Sequence, residues 1–188
     1  DGIFINTAGL GLVPRGIEID PRRARSGDMV LLSGPIADHG IAVLSVREGL
    51  RFETELKSDS APLHALVEKI LAAGGGDVHV LRDPTRGGVA SALNEIASLS
   101  GAGIRIFEAA IPVREEVRGA CEILGLDPLY VANEGKCLAF VAPEAADAAL
   151  AAMRAHPLGR AAAIIGTVVA EDPGRVRLKG RVGGWRLL

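Results

Sequence analysis

The sequence predicts an α/β (α+β) domain, a layered mixed sheet flanked by helices. Two observations carry that prediction. Short apolar runs bounded by glycine, proline and acidic residues alternate with longer segments whose apolar residues recur at helical spacing. The last three apolar runs then follow one another with no helical segment between them, which predicts antiparallel strands at the end.

In chain order, residues 3–5 (Ile-Phe-Ile) predict a short strand, and Ala8 to Gly11 and Pro14 to Gly16 mark turns. Residues 29–32 are an apolar run closed by Ser33-Gly34-Pro35, and a helix is expected over 40–46. Leu63, Leu66, Val67, Ile70 and Leu71 lie on one helical face, which Gly74-Gly75-Gly76 terminates. A strand follows over 78–81, then a helix over 87–98 that turns Val89, Leu93, Ile96 and Ala97 inward. Ile104-Arg105-Ile106 alternates like a half-buried strand, and residues 113–124 repeat as a helix up to Gly125. Residues 137–141 form a continuous apolar run suited to a central strand, and 144–155 an alanine-rich helix. Strands over 163–169, 176–178 and 185–187 complete the pattern, with no repeat or flexible linker.

Composition narrows the function. The chain has 188 residues, 48% of them hydrophobic and only 3% aromatic, so aliphatic side chains fill one sizeable core. With 21 basic and 23 acidic residues the net charge is -2, and no broad basic face or aromatic platform is offered to nucleic acid. No apolar run approaches the roughly 18 residues that span a bilayer. Cys121 and Cys137 form no paired-cysteine motif and the four histidines carry no ligand spacing, so a reducing cytoplasm is expected and both cysteines read as core residues. The chain enters an apolar run at Ile3 and stops at Leu188, which reads as an excised domain.

Two polar islands interrupt this regular pattern. In the first, Asp83-Pro84-Thr85-Arg86-Gly87-Gly88, Asp83 is positioned to cap the following helix and Pro84 to occupy its first turn. Thr85, Arg86 and the glycines would supply a hydroxyl, a cation and close backbone approach for an anion, and Asp83 a ligand for magnesium. A plain capped helix fits equally, because Asp-Pro also occurs at Asp20, Asp127 and Asp172. The second island, Asn133-Glu134-Gly135-Lys136, sets a carboxylate at the lip of a core strand, where desolvation would raise its pKa toward general-base values; a surface Glu–Lys pair is the alternative. Ser58-Asp59-Ser60 reads as the cap of the helix beginning near Pro62, or else as a site loop. Ser91, Asn94, Glu95 and Ser98 read as a solvated helix face.

These islands also carry a resemblance. Asp-Pro-Thr-Arg-Gly-Gly-Val, Asn-Glu-Ile-Ala, Ile-Pro-Val, the run from Leu124 to Lys136 and the early Asp-His-Gly-Ile-Ala resemble the C-terminal part of the HypE family of [NiFe]-hydrogenase maturation factors. That family is related to aminoimidazole ribonucleotide synthetases, selenophosphate synthetases and thiamine-monophosphate kinases. The resemblance implies the C-terminal domain of the synthetase-like fold over residues 15–188, with 1–14 a remnant of an N-terminal nucleotide-binding domain or an interdomain strand.

It implies an ATP-dependent dehydratase that converts a carboxamide on the sulfur of its own C-terminal cysteine into a thiocyanate. It also implies Mg2+, the carbamoyltransferase HypF and the HypC–HypD complex as partners, and a homodimer in the full-length form. By the same resemblance Asp83 is the metal-associated aspartate, and Thr85, Arg86, Gly87 and Gly88 lie near phosphate. Glu134 takes the amide proton, and Asn133 and Lys136 of the same motif are expected among the cofactor-binding residues. The family's N-terminal half and its Pro-Arg-Ile-Cys tail do not match any part of this chain, so the chain alone is expected to be inactive. A selenophosphate-synthetase-like enzyme and a non-catalytic docking module are the alternatives; Pro84 and Arg86 depart from the turn of the former.

Overall fold

The computed structural model describes residues 2–6, 8–49 and 56–188. Among the described residues seven strands form one sheet: β1 (Met29–Leu32), β2 (Val78–Arg82), β3 (Gly103–Phe107), β4 (Leu138–Val141), β5 (Ala163–Val169), β6 (Val176–Lys179) and β7 (Trp185–Leu187). The described residues also form the helices α1 (Asp38–Arg47), α2 (His64–Gly74), α3 (Gly88–Ser100), α4 (Glu115–Leu124) and α5 (Pro143–Arg154).

The sheet order is β2-β4-β1-β5-β3-β6-β7. Every neighbouring pair is antiparallel except β3 with β6. Antiparallel pairing is therefore not confined to the end of the chain, as the sequence predicts. Strands β1, β2 and β3 do run parallel to one another, as strands joined through helices should. The later strands β4 and β5 then insert between them in the opposite sense. The mixed sheet arises from this interleaving.

Both faces are covered, which explains why β1 and β4 read as continuous apolar runs. Leu31, Ala139 and Val141 turn toward α2 and α5, packing with Leu66, Ile70, Ala149 and Met153. Val30, Leu32, Leu138 and Phe140 turn the other way, onto Val89, Leu93 and Ile96 of α3. Each such fully buried large side chain contributes on the order of 1.5–3 kcal/mol of burial free energy. A third cluster joins Ile41 of α1 to Val117, Ala120 and Cys121 of α4.

Residues 3–5 do not form the expected strand. Ile3, Phe4 and Ile5 are exposed and irregular, because a strand needs a partner to take its backbone groups and none lies beside them among the described residues. Among the described residues no helix is long and apolar enough to cross a membrane.

Candidate functional site

The two polar islands meet in space, and Asn133 joins them. Its side-chain oxygen accepts the Ala37 N–H at 2.8 Å, and its NH2 donates to the carbonyls of Pro84 at 2.9 Å and Val131 at 3.1 Å. Its own backbone N–H also donates to Pro84. Asn133 is wholly buried, so its carboxamide is spent on positioning three chain segments. One of them is strained: Ala37 has φ of 74°, a left-handed conformation unfavourable to a residue with a Cβ, and leads directly into α1.

The first island departs from its sequence reading. Helix α3 starts at Gly88, with Gly87 rather than Asp83 at the cap position and no side-chain cap, so Pro84 lies outside the helix. The cause is the glycine pair: Gly87 (φ 73°) and Gly88 (φ 65°) delay the helix until the chain has turned. Their small size serves the protein's own packing, since a Cβ on Gly88 would lie 2.4 Å from the Leu129 carbonyl oxygen and one on Gly87 2.1 Å from the Ser91 hydroxyl. Two of the three other Asp-Pro pairs behave as punctuation, and the third, at Asp172, pairs with Arg177. Asp20 and Asp127 cap short 3-10 turns through their carboxylates, whereas Asp83 is exposed and takes a hydrogen bond from Arg82 at 2.9 Å. Arg82 also reaches Glu95 at 2.8 Å, and the hydrogen bond to Glu95 raises the arginine's pKa. Thr85 is half-buried, and Arg86 is exposed with no partner among the described residues. Ser91, Glu95 and Ser98 form the solvated face expected of α3.

The second island is held differently from either reading of the sequence. Glu134 is exposed and not buried at the strand lip. Lys136 is buried and pairs with Asp59, not with Glu134: the ammonium lies 2.8 Å from Oδ2 of Asp59. The other oxygen, Oδ1, accepts the backbone N–H of Glu134 at 3.0 Å. Asp59 therefore belongs to a site loop and not to a helix cap, and α2 begins only at His64. The loops fit without room: a Cβ on Gly135 would lie 1.7 Å from the Asp59 carbonyl oxygen.

Neighbouring charges extend this cluster. The Ser58 hydroxyl meets Nδ1 of His39 at 2.8 Å and accepts the Ser60 N–H at 3.1 Å. Asp38, the first residue of α1, is 2% exposed, with Oδ1 3.7 Å from Nε of Arg114 and Oδ2 unpartnered. Burial pushes its pKa up; Arg114 and Lys136 pull it back only in part, and the nearby Asp59 adds to the rise. Asp59, Arg114 and Lys136, with Ser33, Gly34 and Pro35, line one side of an open cleft of about 430 Å³. Asp38 and His39 entered the sequence reading only within the Asp-His-Gly-Ile-Ala resemblance, with no role assigned, and Arg114 not at all. Asp59 was legible as part of a helix cap or a site loop, but its partners, more than 70 positions away, were not.

Among the described residues no group of three or more His, Cys, Asp or Glu is placed to hold a metal ion, and the carboxylate of Asp83 is paired to a cation. For a nucleotide the exposed lip offers Arg86 and the half-buried Thr85 and Gly87 beside the start of α3, one wall without an enclosure.

Comparison with known proteins fits this arrangement. Residues 25–179 match the family described as AIR synthase related protein, C-terminal domain. The carbamoyl dehydratase HypE of Bradyrhizobium diazoefficiens is 57% identical over all of this chain, which covers 54% of that protein. A crystal structure of a HypE–HypF complex superposes with a TM-score of 0.89 at 45% identity, covering 93% of this chain and 56% of that one. One of HypE in complex with ATP gives 0.85 at 50% identity, covering 90% and 52%. The chain thus spans about half the length of the curated relatives it matches. With its mixed sheet and its clasped Asp-Pro-Thr-Arg-Gly-Gly and Asn-Glu-Gly-Lys loops, the chain belongs to the AIR synthase related family as a C-terminal domain, and within that family it resembles HypE throughout its length.

Proposed function

We propose that this chain is the C-terminal half of an ATP-dependent carbamoyl dehydratase of the HypE type. In this reading the intact protein converts a carboxamide on the sulfur of its C-terminal cysteine to a thiocyanate, the source of the cyanide ligands of a [NiFe]-hydrogenase. ATP phosphorylates the amide oxygen, loss of both nitrogen protons forms the nitrile, and phosphate leaves with the carboxamide oxygen. Glu134 takes a proton from the amide nitrogen. Thr85, Arg86 and Gly87 face the nucleotide, and Gly88 and Asn133 shape the turn that presents them. Asp83 and the ligands of Mg2+ act together with the N-terminal half that the relatives possess, and this chain alone is inactive.

The observation that carries the reading is the Asn133 clasp, which sets an exposed carboxylate one residue from a bond to the Pro84 carbonyl of the first island. A base and a phosphate-facing turn are thereby held in one rigid unit. The similarity to a HypE crystallised with ATP supports the nucleotide, and that to a HypE crystallised with HypF supports a carbamoyl donor as partner. The HypC–HypD complex as cyanide acceptor and a homodimeric intact protein belong to the same proposal.

The test is Glu134→Gln in the intact protein. Thiocyanate formation, followed by mass spectrometry of the C-terminal peptide, should fall by about 10²-fold or more while ATP binding is retained. Undiminished thiocyanate formation would remove Glu134 from the chemistry and favour a docking role for this domain.

A further inference from the structure

We infer that Asp59 is a positioning residue for Glu134, an inference that rests on the proposed role of Glu134 as base. Glu134 makes no side-chain bond in the described structure, so its direction is set by its backbone and by what holds that backbone. Asp59 is what holds it. One carboxylate oxygen accepts the N–H of Glu134 itself, and the other takes the ammonium of Lys136 two residues on. Only 3% of the Asp59 side chain and 10% of that of Lys136 is exposed, so the ion pair is largely shielded from water, while the bond to the Glu134 N–H lies at the exposed edge of the loop.

Gly135 lies between the two anchored residues, with the Asp59 backbone pressed against its Cα. The loop is therefore pinned on both sides of Glu134's peptide and at its neighbour, while the Glu134 carboxylate stays free for a substrate. Ser58, one residue before Asp59, is tied in turn to His39 of α1, so the pin is anchored to the helix that follows Ala37. Lys136 is on this account part of the mount. Its ammonium is committed to Asp59 and, at 3.4 Å, to the Gly135 carbonyl.

The experiment uses the intact protein with Asp59→Ala, Asp59→Asn, Glu134→Gln and the double variant Asp59→Ala/Glu134→Gln. Asp59→Asn keeps the shape and the fold but cannot accept from both partners. Hydrogen exchange at the Glu134 amide should accelerate by about tenfold, the factor of one lost hydrogen bond, while the amides of β4 keep their protection. Turnover in Asp59→Ala should fall by about 10²-fold, as expected for a misplaced catalytic group, with the KM for ATP unchanged. The double variant should be no slower than Glu134→Gln alone, because Asp59 acts only through Glu134.

Unchanged exchange at Glu134 in both Asp59 variants overturns the inference, as does a double variant whose losses multiply. If Glu134→Gln itself turns over normally, the proposed reaction is what fails, and the exchange result alone decides the role of Asp59.

Discussion

Asn133 concentrates the most structural consequence in one side chain. It touches the Ala37 backbone, the Pro84 carbonyl and its own loop at once. Asn133→Ala would leave the buried Ala37 N–H without its acceptor and remove a side-chain donor from the Pro84 and Val131 carbonyls, although Pro84 keeps the Asn133 backbone N–H. An orphaned buried polar group costs about 1–3 kcal/mol, so a total loss of about 2–4 kcal/mol is expected, read as a lower urea midpoint with an unchanged slope. A neutral substitution would show that the loops hold each other without it. The same scale separates the Asp-Pro pairs, since Asp83 and Asp172 turn their carboxylates to arginines. Asp20 and Asp127 spend their carboxylates on the backbone N–H two residues ahead, and Asp83 does not. The dipeptide was legible in the sequence, but this difference was not. It depends on where Arg82 and Glu95 fall once β2 and α3 are packed.

Among the elements, α3 shows how a local signal can be right in kind and displaced in place. The apolar stripe of Val89, Leu93, Ile96 and Ala97 is buried as its spacing requires. The start is later than the Asp-Pro signal indicates, because Gly88 must take φ of 65° while its Cα lies against the carbonyls of Leu129 and Val131. Gly88→Ala should therefore cost about 3 kcal/mol or more, from left-handed strain and overlap together. Gly101→Ala is the control. It has a similar φ of 70° at the end of the same helix but open space around it, so only the strain of about 1–2 kcal/mol applies. Equal losses in thermal unfolding of the two variants would mean that the contact with 129–131 contributes nothing. The close of α4 was fully legible: Gly125 takes φ of 67° and Leu126 donates to the Cys121 carbonyl at 2.8 Å, as the glycine after a periodic segment predicts.

For the whole molecule, packing sets a pH dependence. Burial raises the thiols of Cys121 and Cys137 from 9.0 to about 11, and both are free and enclosed. In the unfolded chain they ionise first, so protons are released on unfolding. The contribution to stability is full below pH 9.0 and is lost as pH rises toward about 11. Asp38 acts with the same sign at lower pH: its folded value lies above 3.8, so its contribution fades as pH rises through that folded value. The melting temperature should fall between pH 9 and 11, and Cys121→Ala/Cys137→Ala should show a smaller fall. In the native protein at pH 8 neither thiol should react with a maleimide until denaturant is added. Prompt modification of both, or the same alkaline loss in the double variant, would contradict this account.

The sequence by itself determined which segments are strands and helices inside the sheet, because alternation and the 3.6-residue period are local properties of the chain. It also determined that two polar islands stand apart from the core and that their motifs match one family. Tertiary structure alone decided the interleaving of β4 and β5, the late start of α3, the partner of Lys136 and the place of Asp59. Each of these rests on contacts between residues far apart in the chain, such as Asn133 with Ala37 across 96 positions and Lys136 with Asp59 across 77. No periodicity encodes such contacts. They follow from the sheet order, which brings the loops around β1 and β4 to one end and leaves Glu134 exposed there.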